Sequence, residues 1–248
     1  MSERETDSEK VCLITGSTRG IGREVARAFA RVAPGRWKVH VVWFRSQAAE
    51  SDLQDEFPGR VHQADVSDDG EARALIERIV QQDGRLDVMV HAVGDVVFGP
   101  LAEVTRDQLD HLLRNNVASA FSLADAARDA LRQSRGSCVY LGCAGVETLR
   151  ARRATAAYTA AKTALLVLMR SLALEEAPFG VRHNMISPGL VPHDGAHSAT
   201  LDADRLASIP LGHPATGMDL AQAAIWLASP EAGHVTGQNI DVAGGYML

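Results

Sequence analysis

Val11-Cys-Leu-Ile-Thr15-Gly16-Ser-Thr-Arg-Gly20-Ile-Gly22 is the stretch on which the fold turns. Val11 to Thr15 is a short apolar run that reads as a buried strand. Glycines follow at 16, 20 and 22, and Arg23 to Val32 continues in a helical pattern. Glycine permits a tight turn and lets backbone N–H groups approach a phosphate. A strand before such a turn and a helix after it is the context that gives the turn meaning. The helix N-terminus then faces the pyrophosphate of a dinucleotide.

The rest of the chain repeats this alternation. Strands are predicted at 10–15, 37–44, 60–64, 86–92, 136–142, 181–187 and 238–242. Helices are predicted at 20–33, 47–56, 68–83, 105–132, 155–177 and 218–228. Alternation of this kind gives an α/β, doubly wound, seven-stranded parallel sheet with helices on both faces. Ligands bind such sheets at the carboxyl ends of the strands. With 248 residues and 46% hydrophobic content, residues 10–248 are expected to form one domain. Residues 1–9 are charged and polar and are expected to be a disordered tail rather than a signal peptide.

Composition also limits the function. A net charge of −6 argues against nucleic acid as a partner. The longest apolar run, Ala164 to Met169, stops at Arg170. It falls far short of the ~20 residues of a membrane span, so no membrane is expected. Cys12, Cys138 and Cys143 show no paired spacing, which fits a reducing, cytoplasmic setting. His183, His193, His197 and His213 are scattered, so no metal is expected.

Tyr158-Thr-Ala-Ala-Lys162 carries the chemistry. Residues four apart on a helix project from one face. An ammonium beside a phenol favours the phenolate, so Lys162 is expected to lower the Tyr158 pKa. A phenol tuned in that way can give a proton to a carbonyl oxygen as hydride reaches carbon.

Together these residues resemble the short-chain dehydrogenase/reductase family over about 10–248. Thr15-Gly16-Ser17-Thr-Arg19-Gly20-Ile21-Gly22 matches its TGxxxGIG turn, and Asp65-Val66 its adenine-meeting acid. Asp87-Val-Met-Val-His91-Ala92-Val93-Gly94 sits where the family has DxLVNNAG. Asn116-Val-Ala-Ser-Ala-Phe121 is similar to the helix with the catalytic asparagine, Tyr158 and Lys162 to the YxxxK pair, and Ser187-Pro188-Gly189-Leu190-Val191 to the turn under the nicotinamide. Ile209-Pro-Leu-Gly and the tail from Val235 to Gly245 complete the pattern. The resemblance implies a Rossmann-type fold and hydride transfer between a nicotinamide and a carbonyl or secondary alcohol. Tyr158 would be the acid/base. Lys162 would bind the nicotinamide ribose. Asn116 would hold a water that links Lys162 to solvent. The nicotinamide would lie between the Gly94 and Pro188-Gly189 turns. Tetramers or dimers would form through the helices at 105–132 and 155–177. Enoyl reductases are disfavoured, because that group spaces its tyrosine and lysine more widely.

Cofactor choice is read at the end of the second strand, where NAD specificity usually needs a carboxylate. Here the run is Val41-Val-Trp-Phe-Arg45-Ser46, with no acid until Glu50. Arg45 and Ser46 can hold a 2′-phosphate instead, and Arg19 can stack on the adenine or reach that phosphate. NADP(H) is the expected cofactor.

Three departures qualify the resemblance. Where the family has a serine after the fifth strand, this chain reads Val139-Tyr-Leu-Gly142-Cys143-Ala144-Gly145. Counting from the strand puts Cys143 at the serine's place, whereas counting back from Tyr158 lands near Gly145. Thr148 or Thr155 could also swing in. A thiol is a poorer hydrogen-bond donor than a hydroxyl. The loop also carries Arg150, Arg152 and Arg153, which would steer an anionic substrate or else form a solvated or subunit-interface cluster. His91 replaces an asparagine and is expected to pack within the strand. The expected partner is a small carbonyl substrate, anionic or carrier-bound. Members acting on 3-oxoacyl thioesters are the nearest type, although Phe179-Gly180 stands where a basic residue would help an acidic carrier dock. Without its serine, the chain could instead be a cofactor-binding sensor or scaffold.

Overall fold

The computed structural model describes residues 9–32, 36–45, 47–192 and 203–247. Ser46, His193 and His197, and all of the expected tail except Glu9, lie outside the described residues. The strands are β1 (Lys10–Thr15), β2 (Trp37–Trp43), β3 (Val61–Gln63), β4 (Val88–His91), β5 (Ser137–Leu141), β6 (Arg182–Pro188) and β7 (Asn239–Val242). All pair in parallel, in the order β3-β2-β1-β4-β5-β6-β7.

Each central strand is buried on both faces, and its residues alternate between two cores. Val11, Leu13, Met89, Cys138, Tyr140 and Met185 point to one side. Helices α3 (Asp69–Asp83), α5 (Ser119–Ser134) and α6 (Ala156–Glu176) cover that side. Cys12, Ile14, Val41, Val90, Val139 and Ile186 point to the other, where α1 (Gly20–Arg31), α2 (Gln47–Glu56) and α8 (Gly217–Ala228) pack. Continuous apolar strands follow from this double burial. Two short helices, α4 (Arg106–Leu113) and α7 (Ala203–Ala207), complete the layers.

One predicted element differs. The helix expected at 105–132 is interrupted: α4 passes into a π-helical turn, Arg114–Ala118, before α5 begins. Such turns cost hydrogen-bond geometry and concentrate at functional sites. Helix α6 also differs from the apolar reading. By length and composition, Ala156–Phe179 is apolar enough to cross a bilayer. Here it lays Ala161, Lys162, Leu165, Leu166 and Met169 against the protein interior and leaves Arg170 exposed, as a core helix does.

The strand order reverses between β1 and β4. Their carboxyl ends open the crevice in which such sheets bind ligands. Thr15 is in register with His91, so the turn after β1 lies against the turn after β4.

Candidate active site

Gly16 shows how closely those two turns approach. Its φ is +66°, and a Cβ there would stand 2.5 Å from the Ala92 carbonyl oxygen and 2.9 Å from Val93 N. A larger residue would push the turns apart. Gly22 packs against Gly16 in the same way, and Gly20 also has positive φ. Arg19, exposed and extended, is the N-cap of α1 and contributes no side-chain cap. The first turn of α1 holds no acid. Its open amides therefore suit an anion. The Ser17 hydroxyl is turned inward, bonding Ile14 O at 3.0 Å and accepting from Val42 N at 3.0 Å. It ties β1 to β2, which leaves the Ser17 backbone alone for a ligand.

Around this cradle, Arg45 is exposed and its guanidinium lies 4.9 Å from the Phe44 ring centroid. Asp65 accepts from Ser67 N and Oγ and from Arg114 Nη2 at 3.1 Å. A carboxylate has about four lone-pair positions, so one stays open. Ile21 packs inward on one face of the sheet and Val66 on the other.

Asn116 and Lys162 converge on Gly94. A Cβ on Gly94 would collide with Asn116 Oδ1 and come within 3.1 Å of Lys162 Nζ. Asn116 is fully buried in the π-helical turn, and its Nδ2 donates to Leu112 O at 2.9 Å and Asp95 O at 3.2 Å. Its Oδ1 is buried with no partner. An unpaired buried acceptor is costly and marks a place built for a donor. Lys162 is 3% exposed and donates to Leu141 O at 2.6 Å. Burial pulls its ammonium down to about 8, against the opposing pull of Cys143 and Asp95.

Tyr158 sits one helical turn before Lys162, with Nζ 5.7 Å from its ring centroid. Here the expected depression of the phenol is not found. Burial pushes Tyr158 well up, the nearby Cys143 adds to it, and the lysine's short bond goes to a carbonyl instead. The phenol therefore keeps its proton at neutral pH.

Cys143 is the loop residue electrostatically coupled to both Tyr158 and Lys162. It is partly buried, and burial raises its thiol. The Ala144 amide bonds Pro188 O at 3.0 Å, which draws this turn against Pro188-Gly189. Thr148 is exposed, and Thr155 faces Thr159 at 3.4 Å. Val191 and Ala92 pack beside this end of the sheet.

His91 lies within the core. Ser119 Oγ gives its only proton to Asn115 O, so His91 Nε2 donates to Ser119 and Nδ1 accepts from Thr15, both at 3.1 Å. Burial lowers its pKa to about 3, so it stays neutral. Among the described residues, no cluster of histidine, cysteine, aspartate and glutamate is arranged to hold a metal.

Sequence reasoning missed one cluster. Asp95 Oδ2 accepts from Asn115 Nδ2 at 2.6 Å and lies 2.8 Å from His111 Nε2, beside Asn116. His111 and Asn115 stand four apart on consecutive helical turns, a spacing that could have disclosed it. The loop arginines also have partners that the sequence does not announce: Arg150 and Arg152 both reach Met247.

The family described as enoyl-(acyl carrier protein) reductase matches residues 16–247. An uncharacterized oxidoreductase of Methylorubrum extorquens is 34% identical over 247 residues, covering 95% of this chain and 97% of that protein. The 3-oxoacyl-[acyl-carrier-protein] reductase FabG of Staphylococcus aureus is 31% identical, with 96% and 98% covered. Its namesake in Salmonella typhimurium is 29% identical, with 96% and 98% covered.

Proposed function

The chain belongs to the short-chain dehydrogenase/reductase family, and from that premise we propose that it is an NADPH-dependent carbonyl reductase with Tyr158 as its acid. The observation that carries this reading is that Asn116 and Lys162 meet at Gly94, with the Tyr158 ring 5.7 Å from Lys162 Nζ and Cys143 close enough to act on both Tyr158 and Lys162.

The residues present suit the cofactor. The Gly16–Gly22 turn and the open amides of α1 form a pyrophosphate cradle. Arg19 and Arg45 offer guanidinium groups for a 2′-phosphate, and the sequence carries no acid from the end of β2 until Glu50. Ser46 is assigned to the same phosphate from its sequence position. Asp65 keeps one acceptor for the adenine, with Val66 beside it. Ala92, Gly94, Pro188, Gly189 and Val191 border the nicotinamide place, and Lys162 binds its ribose. NADPH, when bound, supplies hydride.

The chain's own groups do the rest. Tyr158, holding its proton at neutral pH, is in the donor state that reduction requires. Cys143 takes the place of the donor that orients the carbonyl. Asn116 Oδ1 accepts from a water that connects Lys162 to solvent. Relatives named for 3-oxoacyl-[acyl-carrier-protein] support a 3-oxoacyl thioester as substrate. The three free thiols support a cytoplasmic setting. Phe121, Val167 and Leu174, exposed on α5 and α6, support a homotetramer or homodimer through those helices. The sensor or scaffold alternative is not favoured, since the relatives are named as oxidoreductases.

The test is an NADPH-oxidation screen over acetoacetyl thioesters, diketones, quinones and pterins, repeated with NADH. Turnover that prefers NADPH is expected. Tight NADPH binding with no turnover on any compound would restore the sensor reading.

A further inference from the structure

Arg150 and Arg152 meet at one atom. Arg150 Nη2 lies 3.0 Å from the Met247 sulfur, and Arg152 Nη1 lies 3.3 Å from it. Arg150 also donates to Met247 O at 3.3 Å. A thioether is a weak, uncharged acceptor. A guanidinium is shaped for two oxygens of a carboxylate or phosphate. Two like charges thus converge on a group that neutralises neither. Among the described residues, neither arginine has a carboxylate within ion-pair distance. The described acids of this end of the sheet are engaged elsewhere: Asp241 accepts from Gly145 N and Asn239, and Glu147 is paired with Arg170, while Leu248 with its terminal carboxylate lies outside the described residues.

The pair stands at the reacting end of the site. Arg152 Nη2 donates to Gly145 O at 2.8 Å, so its guanidinium rests on the turn that begins at Cys143. A Cβ on Gly145 would stand 3.1 Å from both Arg152 Nη2 and the Met247 Cβ. Arg152 Nε is buried with no partner. Arg152 also bears on the Cys143 thiol, which it draws down against burial.

We propose that Arg150 and Arg152 form the seat for a carboxylate carried by the substrate itself, so that the preferred substrates are oxo acids. The Met247 thioether holds that seat until an oxyanion displaces it. This rests on the reductase reading and places a free oxo acid ahead of the 3-oxoacyl thioester as the substrate.

The experiment measures kcat/KM for 3-oxobutanoate and for its uncharged ethyl ester at fixed ionic strength. It uses the full chain and the variants Arg152→Leu, Arg150→Leu and Arg152→Lys. The readout is the acid-to-ester ratio. Loss of a charge-assisted hydrogen bond predicts a fall in that ratio of about tenfold or more in Arg152→Leu. Arg150→Leu is expected to move it in the same direction, and Arg152→Lys to keep part of it. A ratio unchanged in both leucine variants makes the arginines braces for the tail and overturns the proposal. If Arg152→Leu does not fold, Arg150→Leu decides alone. Wild-type turnover of the ester without the acid also overturns it and leaves the reductase reading standing. Turnover of neither compound overturns this proposal, and the reductase reading falls with it only if the wider screen also shows no NADPH oxidation.

Discussion

Gly94→Ala adds one methyl group at the point where the site is tightest. Gly94 does not have positive φ, so alanine meets no backbone strain. The cost comes from what the Cβ touches: Asn116 Oδ1, which it overlaps, and Lys162 Nζ at 3.1 Å. Ordinary carbon contacts lie at about 3.5–4 Å, so Asn116 Oδ1 must move by about 1 Å and Lys162 Nζ by several tenths of an ångström. Neither moves freely. Asn116 is held by Leu112 O and Asp95 O, and Lys162 by Leu141 O. Overpacking of this kind costs about 1–3 kcal/mol. Reduced chain entropy of the unfolded state offsets about 0.4–1 kcal/mol. The net loss is on the order of 1–2 kcal/mol, a few degrees in Tm for a chain of this size. The loss of turnover should be far larger, because a misplacement of about 1 Å can cost 10²-fold. Thermal melts and initial rates on one preparation test this. A variant that melts slightly early and turns over at the wild-type rate would show that Asn116 and Lys162 need not hold these positions.

Other expectations follow from neighbouring contacts. Arg45→Ala should weaken NADPH about tenfold or more while leaving NADH affinity nearly unchanged; equal losses in a binding titration would make Arg45 structural. Cys143→Ser is nearly isosteric and supplies a better donor, so turnover on a simple ketone should hold or rise, and Cys143→Ala should lower it. A destabilised but kinetically unchanged serine variant, with a fully active alanine variant, would move the search to Thr148 and Thr155. Acid should unfold the protein early. Burial lowers His62 and His183 to about 4 and His91 to about 3. These groups bind protons in the unfolded chain before the folded one, so their contribution is complete above pH 6.5 and lost as pH falls toward 4. At pH 5.5 each removes roughly 1 kcal/mol. A melting temperature flat from pH 7 to 5 would contradict those burials.

The fold was legible because doubly buried strands such as Val11–Thr15 and Ser137–Leu141 are almost wholly apolar, with glycines and helix starts marking their ends. The interruption at Arg114–Ala118 was not legible. Residues 105–132 hold no glycine or proline, and the signal for a π-helical turn lies in what Asn116 bonds across the site. Lys162 and Tyr158 were readable as a pair from their spacing. Their electrostatics were not, because burial and the Leu141 carbonyl set them, and both belong to the folded chain. The arginine loop gave its charge in sequence but not its partner, since Met247 lies 97 residues from Arg150.

The central claim is that Tyr158 delivers the proton. Tyr158→Phe keeps the ring and removes only the hydroxyl. NADPH oxidation by this variant, measured beside NADPH binding, should fall by at least about 10²-fold while binding stays nearly intact. Turnover at the wild-type level in Tyr158→Phe, with the cofactor bound, would contradict the account.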